Sequence, residues 1–135
     1  MILTLKKLGI GCIAFSPLAQ GMLSEKYLKN IPRNSRAYEN SSLDKKMLTK
    51  SYINKITNLS KIAKKRGQTL SQMALAWVLN NKAVTTALIG ASSVRQIKEN
   101  IESLNNLNFS KSELQEIDKK AKEGNINKWA RSSSY

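Results

Sequence analysis

Histidine is absent from the 135 residues, and cysteine occurs once, at Cys12. The first absence removes the commonest general base. The second leaves no disulfide framework within the chain, and a reducing cytoplasm is the compartment expected. There is no metal-ligating cluster, no glycine-rich dinucleotide fingerprint and no P-loop. No apolar run approaches the roughly 18–20 residues of a membrane span. The start, Met1 to Lys7, lacks the charged-then-apolar order of a signal peptide. Tandem repeats and low-complexity tracts are also missing.

Acidic residues are scarce too: 9 against 23 Lys and Arg, a net charge of +14. Residues 1–66 hold 14 of the basic and 3 of the acidic residues. Such a balance can serve a nucleic acid or an anionic surface. Here the lysines are interleaved with a helical apolar stripe. Solvated helix faces are therefore the first reading, attraction of a small phosphorylated ligand the second, and neither nucleic acid nor membrane is expected as a partner.

What is present alternates between strand and helix. Gly9-Ile10-Gly11-Cys12-Ile13-Ala14-Phe15-Ser16-Pro17 is a short apolar run bounded by Gly and Pro. It suits a strand buried on both faces, as in a parallel sheet. Residues 18–43 read mostly as loop, which is long for a structureless connection. Residues 44–66 read as an amphipathic helix with Leu48, Tyr52, Ile56, Leu59 and Ala63 at spacings of three and four, and Gly67 as its stop. Thr69-Leu70-Ser71-Gln72 has capping-box form. The helix from Leu70 to Asn80 is apolar almost all round, with Trp77 as a core anchor. Residues 84–89 read as a second buried strand. Ser93-Val94-Arg95-Gln96 opens a helix through Leu104 whose apolar side is Val94, Ile97, Ile101 and Leu104. Ser110-Lys111-Ser112-Glu113 opens another, running to about Glu123 and stopped by Gly124. The tail, Asn125 to Tyr135, is polar apart from Ile126 and Trp129. Parallel βα units follow from this order, and two strands alone cannot cover such a sheet's faces and edges.

Two places after strand ends could hold a ligand, where α/β folds keep their sites. One is Phe15-Ser16-Pro17-Leu18-Ala19-Gln20-Gly21, which reads equally as an ordinary Pro/Gly turn with Phe15 in the core. The other is Gly90-Ala91-Ser92-Ser93-Val94-Arg95-Gln96, running on to Glu99 and Asn100. There a helix N-terminus and Arg95 suit a phosphate. The plain alternative is a well-capped helix with a solvated Arg.

Together these motifs resemble the C-terminal part of an aldo-keto reductase, in the branch of bacterial L-glyceraldehyde 3-phosphate reductases and potassium channel β subunits. Residues 15–21 and Leu23-Ser24-Glu25-Lys26-Tyr27 carry the likeness, with Leu88-Ile89-Gly90-Ala91-Ser92-Ser93, Gln96, Glu99 and Asn100. So do Asn30-Ile31-Pro32 before Ser35-Arg36, Leu75-Ala76-Trp77, and Ile117-Asp118. The resemblance implies a (β/α)8 TIM barrel of which residues 1–135 form one partial domain, with 9–15 as strand seven and 84–89 as strand eight. It implies hydride transfer between NADP(H) and a small carbonyl substrate. Phe15 would stack on the nicotinamide, and Ser16, Pro17, Leu18, Ala19 and Gln20 would line the cofactor. Lys26 and Arg36 would reach its phosphates. Gly90, Ser92 and Gln96 would surround the 2′-phosphate, with Glu99 and Asn100 on the adenine; Arg95 joins them on charge and position. Glu25 stands where the family often has Gly. The family's catalytic Asp, Tyr, Lys and His lie in the first half of the barrel, so no catalytic residue is assigned here. A full barrel needs about 250 residues. The isolated chain is expected to be inactive, with the N-terminal barrel part or a second copy as its partner. A non-catalytic binding or regulatory fragment is the alternative.

Overall fold

The computed structural model describes residues 2–33, 35–39 and 43–121. Helix α1 (Ile2–Lys7) leads into strand β1 (Ile13–Phe15). Two short 3-10 turns follow, Ala19–Gly21 and Glu25–Tyr27, and a third at Lys45–Met47. Then come α2 (Lys50–Lys65), α3 (Leu70–Leu79), β2 (Thr86–Leu88), α4 (Val94–Ile101) with a 3-10 turn at Glu102–Asn105, and α5 (Lys111–Lys120). The expected Gly124 stop and the tail with Ile126 and Trp129 lie outside the described residues.

Local chemistry explains most boundaries. The helix expected over 44–66 divides. Asp44 accepts from the Lys46 amide at 2.8 Å and caps a separate turn, and Thr49 accepts from Tyr52 at 3.1 Å to start α2 anew. Gly67, at φ +69°, ends α2 where L side chains are strained. Its amide donates to Lys64, and the Gln68 amide to Ala63 at 3.0 Å, the Schellman pattern. The capping boxes at Thr69/Gln72 and Ser110/Glu113 form reciprocally. The one expected at Ser93 forms by half. Ser93 accepts from the Gln96 amide, but the Gln96 side chain turns to Ser92 instead.

The core lies among α2, α3, α5 and the long connection. Tyr52, Ile56, Leu59 and Ala63 of the expected stripe are buried, with Leu70, Met73 and Ile117 against them. The connection is packed rather than loose: Met22, Tyr27, Ala37 and Leu43 are all buried in the same cluster. Tyr52 donates its hydroxyl to the Met22 carbonyl at 2.6 Å, and burial pushes its pKa up to about 12.

The two strands pair in parallel, with Ile13 opposite Thr86 and Phe15 opposite Leu88. Just before them, Thr85 Oγ1 accepts from the Cys12 amide at 3.1 Å. A Cβ on Gly11 would stand 2.6 Å from that oxygen, so the approach requires glycine.

Three burial expectations are corrected. The strands are three residues each and not buried on both faces: Ile13, Phe15 and Leu88 are 56–69% exposed. Trp77 is not a core anchor but 47% exposed. The apolar stripe of α4 also faces outward, and α4 docks on α3 through its polar side. Gln72 Nε2 donates there to the Glu99 carbonyl at 3.0 Å and to Glu102 at 2.9 Å, and Asn100 and Ser103 are the buried residues. The cause is common to all three. A two-stranded sheet offers too little surface to cover the elements built to lie on it.

Candidate functional site

Parallel pairing decides where the two expected ligand loops go. Phe15 and Leu88 are partners at the C-terminal ends of their strands, so residues 16–21 and 89–93 leave the sheet at the same end.

The first loop is strained. Ser16, Ala19 and Gln20 all have left-handed backbone, at φ 52°, 47° and 60°, and Gly21 follows at 91°. None of the three is a residue that prefers that region, and each such placement costs on the order of 1 kcal/mol or more. Close hydrogen bonding holds them. The Ala19 amide donates to Ser16 and Gly21 to Leu18, both at 2.9 Å, and Leu23 also donates to Leu18. Ser24 Oγ donates to the Gly21 carbonyl at 2.6 Å, and Ser71 Oγ of α3 to Leu23 at 3.2 Å. These clamps from Ser24, Ser71 and Tyr52 were not legible from the sequence; only the three-residue spacing of Gly21 and Ser24 hints at one. Phe15 is 69% exposed, which sets aside its reading as a core residue and leaves its ring open.

The second loop aims donors. The Ser92 amide and its hydroxyl converge on one oxygen, Gln96 Oε1, at 2.8 and 3.1 Å. Arg95 Nε lies 3.2 Å from Glu99 Oε1 one turn on, with the Arg95 side chain 86% exposed. Gly90 has open space where a side chain would stand. Ser92, Arg95, Gln96 and Glu99 are thus exposed on α4 and its approach, whereas Asn100 is buried.

Lys26 is placed elsewhere. It lines an open cleft of about 480 Å³ with Lys29, Lys61 and Lys64, and no residue of 15–21 or 90–100 joins it. Arg36 is exposed on the connection. Among the described residues no group of His, Cys, Asp and Glu could hold a metal. No helix there is long and apolar enough to cross a membrane.

The model of the aldo/keto reductase family matches residues 1–122. The chain belongs to that family. It is 47% identical over 134 residues to an L-glyceraldehyde 3-phosphate reductase of Escherichia coli K12, covering 96% of this chain and 39% of that protein. It is 40% identical over 100 residues to a putative voltage-gated potassium channel subunit beta of Schizosaccharomyces pombe, covering 71% of this chain and 29% of that one. The chain therefore spans about two-fifths of the length of the reductase it matches. Aldo/keto reductases are barrel proteins that generally use NAD(P)H, and the α/β content with an open parallel sheet agrees with membership.

Proposed function

We propose that this chain is the C-terminal, cofactor-gripping part of an NADPH-dependent aldo-keto reductase. The observation that carries this is the common sheet end from which a clamped, strained loop and a donor-bearing helix start both emerge. The cofactor would supply a hydride to a small carbonyl substrate. The residues here fit such a group. Ser92 already points two hydrogens at one oxygen acceptor, as a phosphate oxygen requires, and Arg95 adds a permanent cation beside it. The Phe15 ring is open to stack on a flat heterocycle, and residues 16–20 offer a preset backbone. Cofactor-binding residues in this reading are Phe15, Ser16, Pro17, Leu18, Ala19, Gln20, Lys26, Arg36, Gly90, Ser92, Arg95, Gln96, Glu99 and Asn100.

The family's catalytic Asp, Tyr, Lys and His are not matched within this set, so turnover would require the rest of a barrel. Ile10, Ile13, Trp77, Leu88, Val94 and Ile101 present the surface for it. The lone Cys12 suits a reducing cytoplasm. A non-catalytic binding module is the second reading, favoured by the outward apolar stripe of α4.

The test joins the chain to the N-terminal portion of the related E. coli reductase. The joined barrel should bind NADPH, seen as cofactor fluorescence enhancement, and reduce methylglyoxal or a glyceraldehyde. The chain alone should show no turnover and should bind a dye that reports apolar surface. Turnover by the chain alone, or a folded joined barrel that ignores NADPH, refutes the reading.

A further inference from the structure

The parallel register fixes only where the two strand-end loops begin, at Phe15 and Leu88. Beyond those starts, both meet the same turn of α3. Ser71 Oγ donates to the Leu23 carbonyl at 3.2 Å, and the Leu23 amide donates back to Leu18 of the first loop at 3.1 Å. The next residue, Gln72, reaches α4. Its Nε2 donates to the Glu99 carbonyl at 3.0 Å and to Glu102 Oε2 at 2.9 Å. Successive residues on a helix point about 100° apart, so one turn can serve two neighbours.

The Gln72 amide does two separate things. Its Oε1 accepts from the Thr69 amide at 2.9 Å and closes the capping box, while Nε2 serves α4. The side chain is buried, and it can lie only this way round, since the reverse would set an oxygen against two oxygens. A capping box needs only the oxygen, and Glu113 supplies just that at the same position of α5. The nitrogen is therefore surplus to the cap, and its bonds run to the helix that carries Arg95, Gln96 and Glu99. That helix brings little apolar surface to the contact: Val94, Ile97 and Ile101 are exposed, and Asn100 and, just beyond, Ser103 are the buried residues. Directional bonds rather than apolar packing thus set where α4 stands.

We infer that the first turn of α3 is a positioning element, in which Ser71 and Gln72 hold the two loops at the spacing that a ligand bridging them requires. This rests on the proposed role of both loops in gripping one nicotinamide cofactor. Neither residue is among those assigned to the cofactor; Gln72 acts through the place of α4. The first loop has a further hold where Tyr52 bonds the Met22 carbonyl, so α4 is the end to release.

The joined barrel is titrated with NADPH, which spans both loops, and with adenosine 2′,5′-bisphosphate, which meets only α4 and its approach. Gln72→Glu keeps the capping oxygen and turns the donor into an acceptor. A hydrogen bond carries a net factor of roughly two to ten in an equilibrium, and two are lost. NADPH should bind about tenfold more weakly. The bisphosphate should bind as before, because Arg95, Gln96 and Glu99 move with α4 as one unit. Gln72→Met, which cuts the same bonds and leaves no group to protonate, should do likewise. Adding Glu102→Gln to Gln72→Glu offers the new carboxylate a donor and should recover about threefold. Ser110→Ala, which uncaps α5, should lower Tm and leave both affinities alone. A parent barrel that fails with NADPH or with the bisphosphate refutes the cofactor reading, and the inference with it. Where the parent binds both, unchanged NADPH affinity in the two Gln72 variants, equal weakening of the two ligands, or the same loss in Ser110→Ala overturns the inference alone.

Discussion

Replacing Arg66 by Ala removes the tie that fastens α5 and the segment before it to the end of α2. The Arg66 side chain is 3% exposed. Nη1 lies 2.7 Å from Glu113 Oε1, Nε donates to Gln68 Oε1 at 2.9 Å, and Nη2 donates to the carbonyls of Asn106 and Asn108 at 3.2 and 3.0 Å. The guanidinium also sits 3.7 Å above the Phe109 ring. Truncation strands several acceptors at once, and breaking a buried charged network by one partner costs about 3–5 kcal/mol. Glu113 tempers this, because its side chain is 31% exposed and it also accepts from the Ser110 amide at 2.7 Å. The lower end, about 3 kcal/mol, is expected, which for a domain of this size is a fall of about 10 °C in Tm. Arg66→Lys should recover little of it, since a point charge cannot reach four acceptors in a plane. Urea unfolding of the joined barrel's C-terminal part, or of the chain where it melts cooperatively, measures the loss. A cost below about 1 kcal/mol for Arg66→Ala would show that water replaces the guanidinium and that the network is ornamental.

Glu113 adds a pH dependence: its hydrogen bond from the Ser110 amide, then the Ser110 hydroxyl and Arg66, hold its carboxyl below the usual 4.5. A depressed carboxyl contributes stability that is present above the ordinary value and lost as pH falls through the depressed one, so the parent should lose Tm on acidification more steeply than Glu113→Gln. Tyr52→Phe orphans the Met22 carbonyl and should cost about 1–3 kcal/mol in urea unfolding. Because the Tyr52 hydroxyl is raised to about 12, the stability it adds is full below about pH 10 and declines from there toward 12; the Phe variant should lack that decline. Gly11→Ala must push Thr85 Oγ1 from its bond to Cys12, and should loosen the strand pair by about 1–2 kcal/mol, with faster amide exchange at Thr85 and Thr86 as the readout. Arg95→Ala in the joined barrel should weaken NADPH about three- to fivefold and leave NADH unchanged, a modest effect because Arg95 is 86% exposed and shared with Glu99; equal weakening of both cofactors would move Arg95 away from the 2′-phosphate.

How far the fold was legible depends on the range of the cause. Caps and stops are decided within four residues, and Thr69/Gln72, Ser110/Glu113 and Gly67 behave as their spacing predicts. The break at Leu48 and Thr49 escaped because a continuous apolar stripe can span two elements, and it takes two caps, Asp44 for the turn and Thr49 for α2, to separate them. Burial failed for a different reason. Periodicity records which side a segment is built to hide, and it is silent on whether the cover is at hand. The strands, Trp77 and the stripe of Val94, Ile97, Ile101 and Leu104 therefore read as core and stand exposed. The same logic bears on the site. The pairing of the two loops was legible only through the family resemblance, and the register of Phe15 with Leu88 shows that they leave the sheet at the same end. Left-handed Ser16, Ala19 and Gln20 were invisible, since their residue types do not ask for that backbone; the loop's continuation at Met22 and Leu23 is held by distant bonds from Tyr52 and Ser71. Backbone that local sequence does not request, in a loop whose far end is held by contacts about 30 and 50 residues away, is set by tertiary structure and so lies beyond what spacing alone can show.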